Sequence, residues 1–302
     1  LIDMEYFYFC LSLAHVLAGL LFVGVPVVAG IGVYAQGERG WALWRDGLQQ
    51  AVAAGMVALA LGLLMAGFRW DDSFDQAWEI VGNRWWFAFA EFAFSAGLLM
   101  GMAYFAPQWP TGPWAQRGLL VLLFLAATNS LYHFPSLMIV SREIRTRPDL
   151  VGDLEGSVVR QLLFTPEILW RWLHVALASL MFGAVWLRFV LGLHVDARHR
   201  DPQDPWPTLD VPTADAILTR CLWAGLLGLW LTGFCLLLNV ETAKLESLIA
   251  LGSGRSNNLM IGVVAATTVG LRVFFRASRP AGLVRFFEVG LMIVAATAML
   301  GL

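Results

Sequence analysis

The run WRWLHVALASLMFGAVWLRFVLG, residues 170–192, decides how this chain folds. One helical crossing of a hydrocarbon core takes about 20 apolar residues, so the run predicts a transmembrane helix. His174 lies within its first turns. An ionisable side chain inside a span is costly to keep there, and it ordinarily faces the protein interior and has a task. Arg171 stands one turn before it on the same face, and Ala178 one turn after. A His flanked by a cation and a small residue suits haem. The imidazole binds iron, the Ala lets the flat macrocycle approach, and the Arg pairs with a propionate. A His bonded to a neighbouring helix would read the same way from this run alone.

Composition extends the reading to the whole chain. Of 302 residues, 59% are hydrophobic and only 14% charged, and the mean hydropathy is +0.68. Soluble domains carry roughly 25% charged residues, so an integral membrane protein is expected. The formal net charge of −2, with no basic tract, gives no footprint for nucleic acid. Cys10, Cys221 and Cys235 all sit in apolar runs without CxxC or CxxCH spacing, which excludes a c-type haem attachment and disfavours zinc. Many of the 14 Trp stand at span ends, as in an interfacial aromatic belt.

Eight apolar runs are expected to cross the membrane: 4–34, 48–68, 85–105, 118–140, 167–193, 216–240, 258–275 and 283–302. The expected fold is an all-α polytopic membrane protein, a single membrane domain over residues 1–302. Its eight transmembrane helices form two four-helix bundles, 4–140 and 167–302, with haem between helices. The longest polar connections are 141–166 and 194–213, and the second, which holds His194 and His199, reads as a solvated loop. The positive-inside bias slightly favours an N-terminus outside. Leu1 is not Met and Leu302 falls inside an apolar run, so residues beyond both ends are expected.

The residues that do not belong in lipid are His15, Glu91, His133 and His174, with Met260 as a soft ligand candidate. Under an alternating topology and a rise of about 1.5 Å per residue, all five fall in one layer near one membrane face. Scattered structural histidines have no reason to share a depth, and this coincidence favours a cofactor layer. Each residue keeps a plainer alternative. Met260 fits ordinary packing, and Glu91 fits either proton handling or pairing with Arg84. His133 precedes Phe134-Pro135, where a kink would expose it to a cavity. His15 is followed by Ala18 and Gly19, which leave room for a macrocycle and equally suit close helix packing.

These segments resemble subunit I of cytochrome bd quinol oxidase. LSLAHVLAGLLFVG, with His15 and Gly24, resembles that family's first helix. FAFAEFAFSAGLLMG resembles its Glu-bearing helix, with Glu91. ATNSLYHFPS resembles its Asn-Gly-Trp-Met-Gln-x-Pro segment at Asn129 and Pro135, WLHVALAS its axial-His helix, and NNLMIG its axial-Met helix. The likeness covers roughly residues 4–270 of this sequence. It implies that His174 and Met260 ligate a low-spin haem b, that His15 binds a haem in the first bundle, and that Glu91 lies beside that haem as a ligand or proton-handling group.

The chain also departs from the family pattern. Residues 241–257 are short where the family has a long quinol-oxidising loop, and the Gly-Arg-Gln-Pro-Trp segment is missing. There is one span fewer, Asn258 stands for an Arg, and His133 stands for a Gln. These departures bear on the quinol site and the second high-spin haem, and they add an imidazole.

The expected function is a haem-b subunit of a respiratory electron-transfer complex in a bacterial inner membrane. It would pass electrons between quinone or quinol and a partner redox protein at the outer face, alongside other membrane or cytochrome subunits. Two haems b are expected, with a third haem or a haem d left open. In this scheme His15 and His133 clasp one iron from both sides, with Glu91 beside it. His133 bonded to a propionate or a helix carbonyl is the alternative. A bd-type quinol:O₂ oxidoreductase and a haem-free transporter or scaffold subunit also remain open.

Overall fold

The computed structural model describes residues 4–36, 41–68, 72–105, 113–144, 161–162, 164–198, 210–239, 254–275 and 282–300. The helices described are α1 (Met4–Gln36), α2 (Trp41–Phe68), α3 (Asp72–Val81), α4 (Arg84–Phe105), α5 (Pro113–Ile144), α6 (Pro166–Arg198), α7 (Val211–Asn239), α8 (Gly254–Phe275) and α9 (Gly282–Leu300). No strand occurs among the described residues. Among the described residues five helices, α1, α2, α4, α6 and α7, are long and apolar enough to cross a membrane. The apolar segments of α5, α8 and α9 are shorter: Arg117–Tyr132, Asn257–Val273 and Phe287–Ala298.

Helix α1 packs against α2, α5 and α6, and its glycines explain why. A Cβ at Gly24 would lie 1.8 Å from the Ser179 carbonyl oxygen, and one at Gly183 would lie 2.5 Å from the Gly24 carbonyl carbon. The α1 and α6 backbones therefore cross in direct contact, which only glycine permits. Gly32 is covered by the ring of Trp44, and Gly55 by the ring of Phe22, joining α1 to α2. Buried side chains form one core that runs from Phe22 and Val28 of α1, through Leu48, Leu99 and Leu123, to Met181, Leu222, Val269 and Met292.

Two parts of the sequence reading are corrected. Residues 69–84 were expected as connection, yet they contain α3. Its Phe74, Trp78 and Val81 recur at i, i+4 and i+7, a helical period too short to register as a span. Trp78 stacks on Trp85 at 5.1 Å between ring centroids, and Ile80 and Val81 join Leu137, Val140 and Ile168 in a second small core. Gly82, at φ 55°, closes α3, donating its N–H to the Trp78 carbonyl at 2.9 Å. The second correction concerns His194. It sits on the last turns of α6 and not in a loop, part-buried, with Nε2 3.8 Å from the Asp46 carboxylate. His199 lies outside the described residues.

The end of the bundle where α6 finishes and α9 begins is held by ions. Arg188 Nε donates to Asp215 at 3.0 Å and its Nη1 donates to Glu288 at 3.2 Å, tying α6, α7 and α9 together. Gln36, the last residue of α1, donates to the Asp210 carbonyl just before α7. The C-terminal ends of α1 and α6 therefore lie at the same end, and the two helices run parallel.

Candidate haem site

His15 and His174 are held in the same manner by different neighbours. His15 Nδ1 lies 2.8 Å from the Ala58 carbonyl oxygen of α2. A carbonyl only accepts, so Nδ1 carries the proton and Nε2 keeps its lone pair. His174 Nδ1 lies 3.0 Å from the Thr232 hydroxyl of α7. That hydroxyl donates its single hydrogen to the Gly228 carbonyl at 2.9 Å, so it accepts from Nδ1. His174 is therefore in the same tautomer. Among the described residues neither Nε2 has a partner. A histidine that ligates a metal through one nitrogen and donates the other N–H to a fixed acceptor has this arrangement.

Glycines seat both rings. A Cβ at Gly62 would lie 2.9 Å from His15 Cε1, and one at Gly233 would lie 3.6 Å from His174 Cε1. Gly19 stands one turn after His15 on the same face, and a Cβ there would meet nothing within 4 Å. Gly30, eleven residues further along and so on the same side of α1, packs on Leu120 and Leu123 of α5. Among the described residues the α1 surface is thus packed at Gly30 and uncrowded at Gly19, beside His15. A flat ligand needs such space beside the imidazole that holds it, so these residues fit a haem.

The Gly24 crossing gives the depths. Gly24 meets α6 between Ser179 and Gly183. His15 lies nine residues before Gly24, and His174 lies five to nine before its partners. At about 1.5 Å per residue the two histidines fall within about 6 Å of one level. Met260 follows through a chain of glycine contacts. Gly270 of α8 packs on Leu226, Gly225 of α7 on Met181, and Gly233 on His174. Counting back from Gly270 along α8 puts Met260 about one turn from the His174 level. Its side chain is 57% exposed, on the face α8 turns away from the core.

Glu91 does not share that level. Phe92 packs on Phe22 at 4.9 Å between ring centroids. Phe22 lies seven residues beyond His15, so Glu91 sits about 10 Å deeper. The expected single layer is two tiers. The reason is geometric: α4 is set lower against α1 than a count from apolar run ends implies. In the deeper tier the Asn129 amide of α5 donates to the Glu91 carbonyl oxygen at 3.2 Å, to its carboxylate, and to Ser95 Oγ at 3.1 Å. Ser95 is fully buried. A carboxyl, an amide and a hydroxyl thus share one apolar interior, each with a partner.

Arg171 is part-buried on α6, one turn before His174. Arg84 Nη1 donates to the Val81 carbonyl at 3.2 Å. The backbone of His133 lies in α5, and its side chain lies outside the described residues. Trp172, two residues before His174, donates to the Leu131 carbonyl at 3.0 Å and meets Tyr132 edge-on. Among the described residues no three His, Cys, Asp or Glu converge on a point where a bare metal ion would sit. Haem needs only one or two protein ligands.

Sequence reasoning missed Thr232, Ser95 and the two ring-seating glycines. Ser95 carried a signal, standing at i+4 from Glu91. Thr232-Gly233 carried one as well, the only polar-small pair in the run GLWLTGFCLLL, at the depth where an antiparallel α7 passes His174. No protein-family model matches the chain, and no curated protein matches it.

Proposed function

We propose that this chain is the haem-b subunit of a membrane electron-transfer complex, akin to subunit I of cytochrome bd oxidase. Its helices would cross a bacterial inner membrane eight times with the N-terminus outside. It would pass electrons between quinol and a partner redox protein near the face where α1 begins. One observation carries the proposal: two histidines at one depth, each with Nδ1–H given to a neighbouring helix and Nε2 left with its lone pair.

Haem iron, when bound, supplies reversible one-electron chemistry. The chain's own residues do the rest. His15 and His174 would each hold one haem, and Met260, about one turn from the His174 level, would be the soft-ligand candidate for the second. Arg171 and Arg84 give cations for propionates at the same face. Glu91, held by Asn129 and Ser95, stores or relays a proton in a tier below, so that charge moving above it is balanced without an ion entering from lipid. His133 of α5 would be a second imidazole for the group at His15, and a haem held by two imidazoles would carry electrons without taking up small gases.

The second reading, a quinol:O₂ oxidoreductase, is favoured by the Glu91–Asn129–Ser95 cluster, because reducing O₂ consumes protons within the membrane. A reduced-minus-oxidised spectrum of the purified chain, followed by CO, decides. Low-spin b-type bands that ignore CO support the wire, and a CO-sensitive band supports the oxidase. A spectrum without haem bands after expression with haem supply would overturn both.

A further inference from the structure

At the end of the bundle away from His15, the α8–α9 hairpin carries an arginine with no carboxylate partner among the described residues. Arg272, in the last turn of α8, lies over the Phe287 ring of α9, with its guanidinium carbon 4.3 Å from the ring centroid. Its Nε is buried and has no hydrogen-bond partner, and among the described residues no carboxylate lies within 4 Å of it. Arg188, one helix away at the same end, is instead bound to Asp215 and Glu288. Residues 254–287 contain no acidic residue, and Glu288, the next one, is the partner of Arg188.

An uncompensated guanidinium on a lipid-facing helix draws an anion or reaches the interface. Stacking on Phe287 holds this one in place, and Phe287 is itself 51% exposed. Above Phe287, α9 presents Gly290 and Val294 at i+3 and i+7. A Cβ at Gly290 would meet nothing within 4 Å, and Val294 is 44% exposed. The cation therefore stands at the mouth of a shallow apolar trough that runs into the membrane. The ligand matching both parts has an anionic head and a hydrocarbon tail.

We infer that Arg272, Phe287, Gly290 and Val294 form a site for an anionic phospholipid, with its phosphate on Arg272 and an acyl chain along Gly290. The planar guanidinium suits phosphate through paired N–H donors, which a lysine ammonium would not reproduce. This site is independent of the haem assignment.

The test is native mass spectrometry of the full chain in detergent. Phosphatidylglycerol is titrated against phosphatidylcholine, with inorganic phosphate as a separate arm. The wild-type chain should retain phosphatidylglycerol in preference to phosphatidylcholine. Arg272→Gln should weaken that retention about fivefold, the scale of one basic residue at a membrane surface. Arg272→Lys should keep part of it, and Gly290→Leu, which leaves the charge and fills the trough, should weaken it as well. Equal retention of both lipids, or retention unchanged in both Arg272→Gln and Gly290→Leu, would overturn the site. Displacement of the lipid by millimolar phosphate alone would overturn its lipid character.

Discussion

Replacing Thr232 with Val tests the haem site through a residue that would not itself touch the cofactor. The valine fills nearly the same volume but removes the oxygen that receives the His174 Nδ1–H at 3.0 Å. The ring then loses the bond that sets its tautomer and orientation. Leaving such a donor unsatisfied in an apolar interior costs about 1–3 kcal/mol, equivalent to roughly 5- to 150-fold in the population of ligand-ready His174. Outer-shell partners of ligating histidines are worth about 10- to 100-fold in metal affinity, so the two routes agree. Haem affinity at this site should fall by about one to two orders of magnitude. Thr232→Ser, which keeps the hydroxyl and its bond to the Gly228 carbonyl, should restore most of it. The assay is haem titration of apoprotein followed by the reduced-minus-oxidised spectrum, with helix content checked by circular dichroism. Wild-type affinity in Thr232→Val, with His174→Ala binding equally well, would refute the assignment of His174 as a ligand.

Further outcomes follow from other contacts. His15→Ala should remove a spectral component distinct from the one lost in His174→Ala, because the two rings face α2 and α7 respectively; loss of the same band in both variants would contradict two separate sites. Met260→Ala should retain the haem but lower its potential in a redox titration, since an axial Met raises it. Glu288→Ala leaves Arg188 buried with one carboxylate fewer and should cost about 3–5 kcal/mol, read as a large drop in unfolding temperature in detergent. Gly24→Ala drives a Cβ to 1.8 Å from the Ser179 carbonyl oxygen, so the α1–α6 crossing must separate. It should cost about 1–3 kcal/mol or more, and an unchanged unfolding temperature would show that the crossing is not that close.

Sequence patterning showed the helices and their approximate ends because apolar runs are long and connections carry the charge. It placed His15 and His174 at one depth because both lie on helices that run parallel, so residue counts from the ends compare directly. It misplaced Glu91 because depth also depends on how far α4 is set along α1, and that offset comes from the Phe22–Phe92 contact. It missed α3 because a helix of ten residues makes one amphipathic turn after another without an apolar run. The ion triad Arg188–Asp215–Glu288 was illegible for a different reason. Its members come from three helices, and no spacing within any one of them marks the other two.

The two ends of the bundle answer the cost of polar groups in lipid in opposite ways. At one end the polar groups are imidazoles, each giving Nδ1–H to a carbonyl or a hydroxyl of a neighbouring helix. A ring with one bond satisfied costs less to bury than an unpartnered one, and its second nitrogen remains available. At the other end the groups are full charges, and Arg188 is stable there only with Asp215 and Glu288 against it. Folding and chemistry are therefore carried by different residues. Changes at His15, His174 or Thr232 remove a ligand or its support and should leave the helices assembled. Changes at Arg188 or Glu288 touch no candidate ligand and should loosen α9 from α6 and α7. An arrangement in which histidine variants unfold while ion-triad variants merely lose spectral bands would mean that the imidazoles are helix staples and that the cofactor layer does not exist.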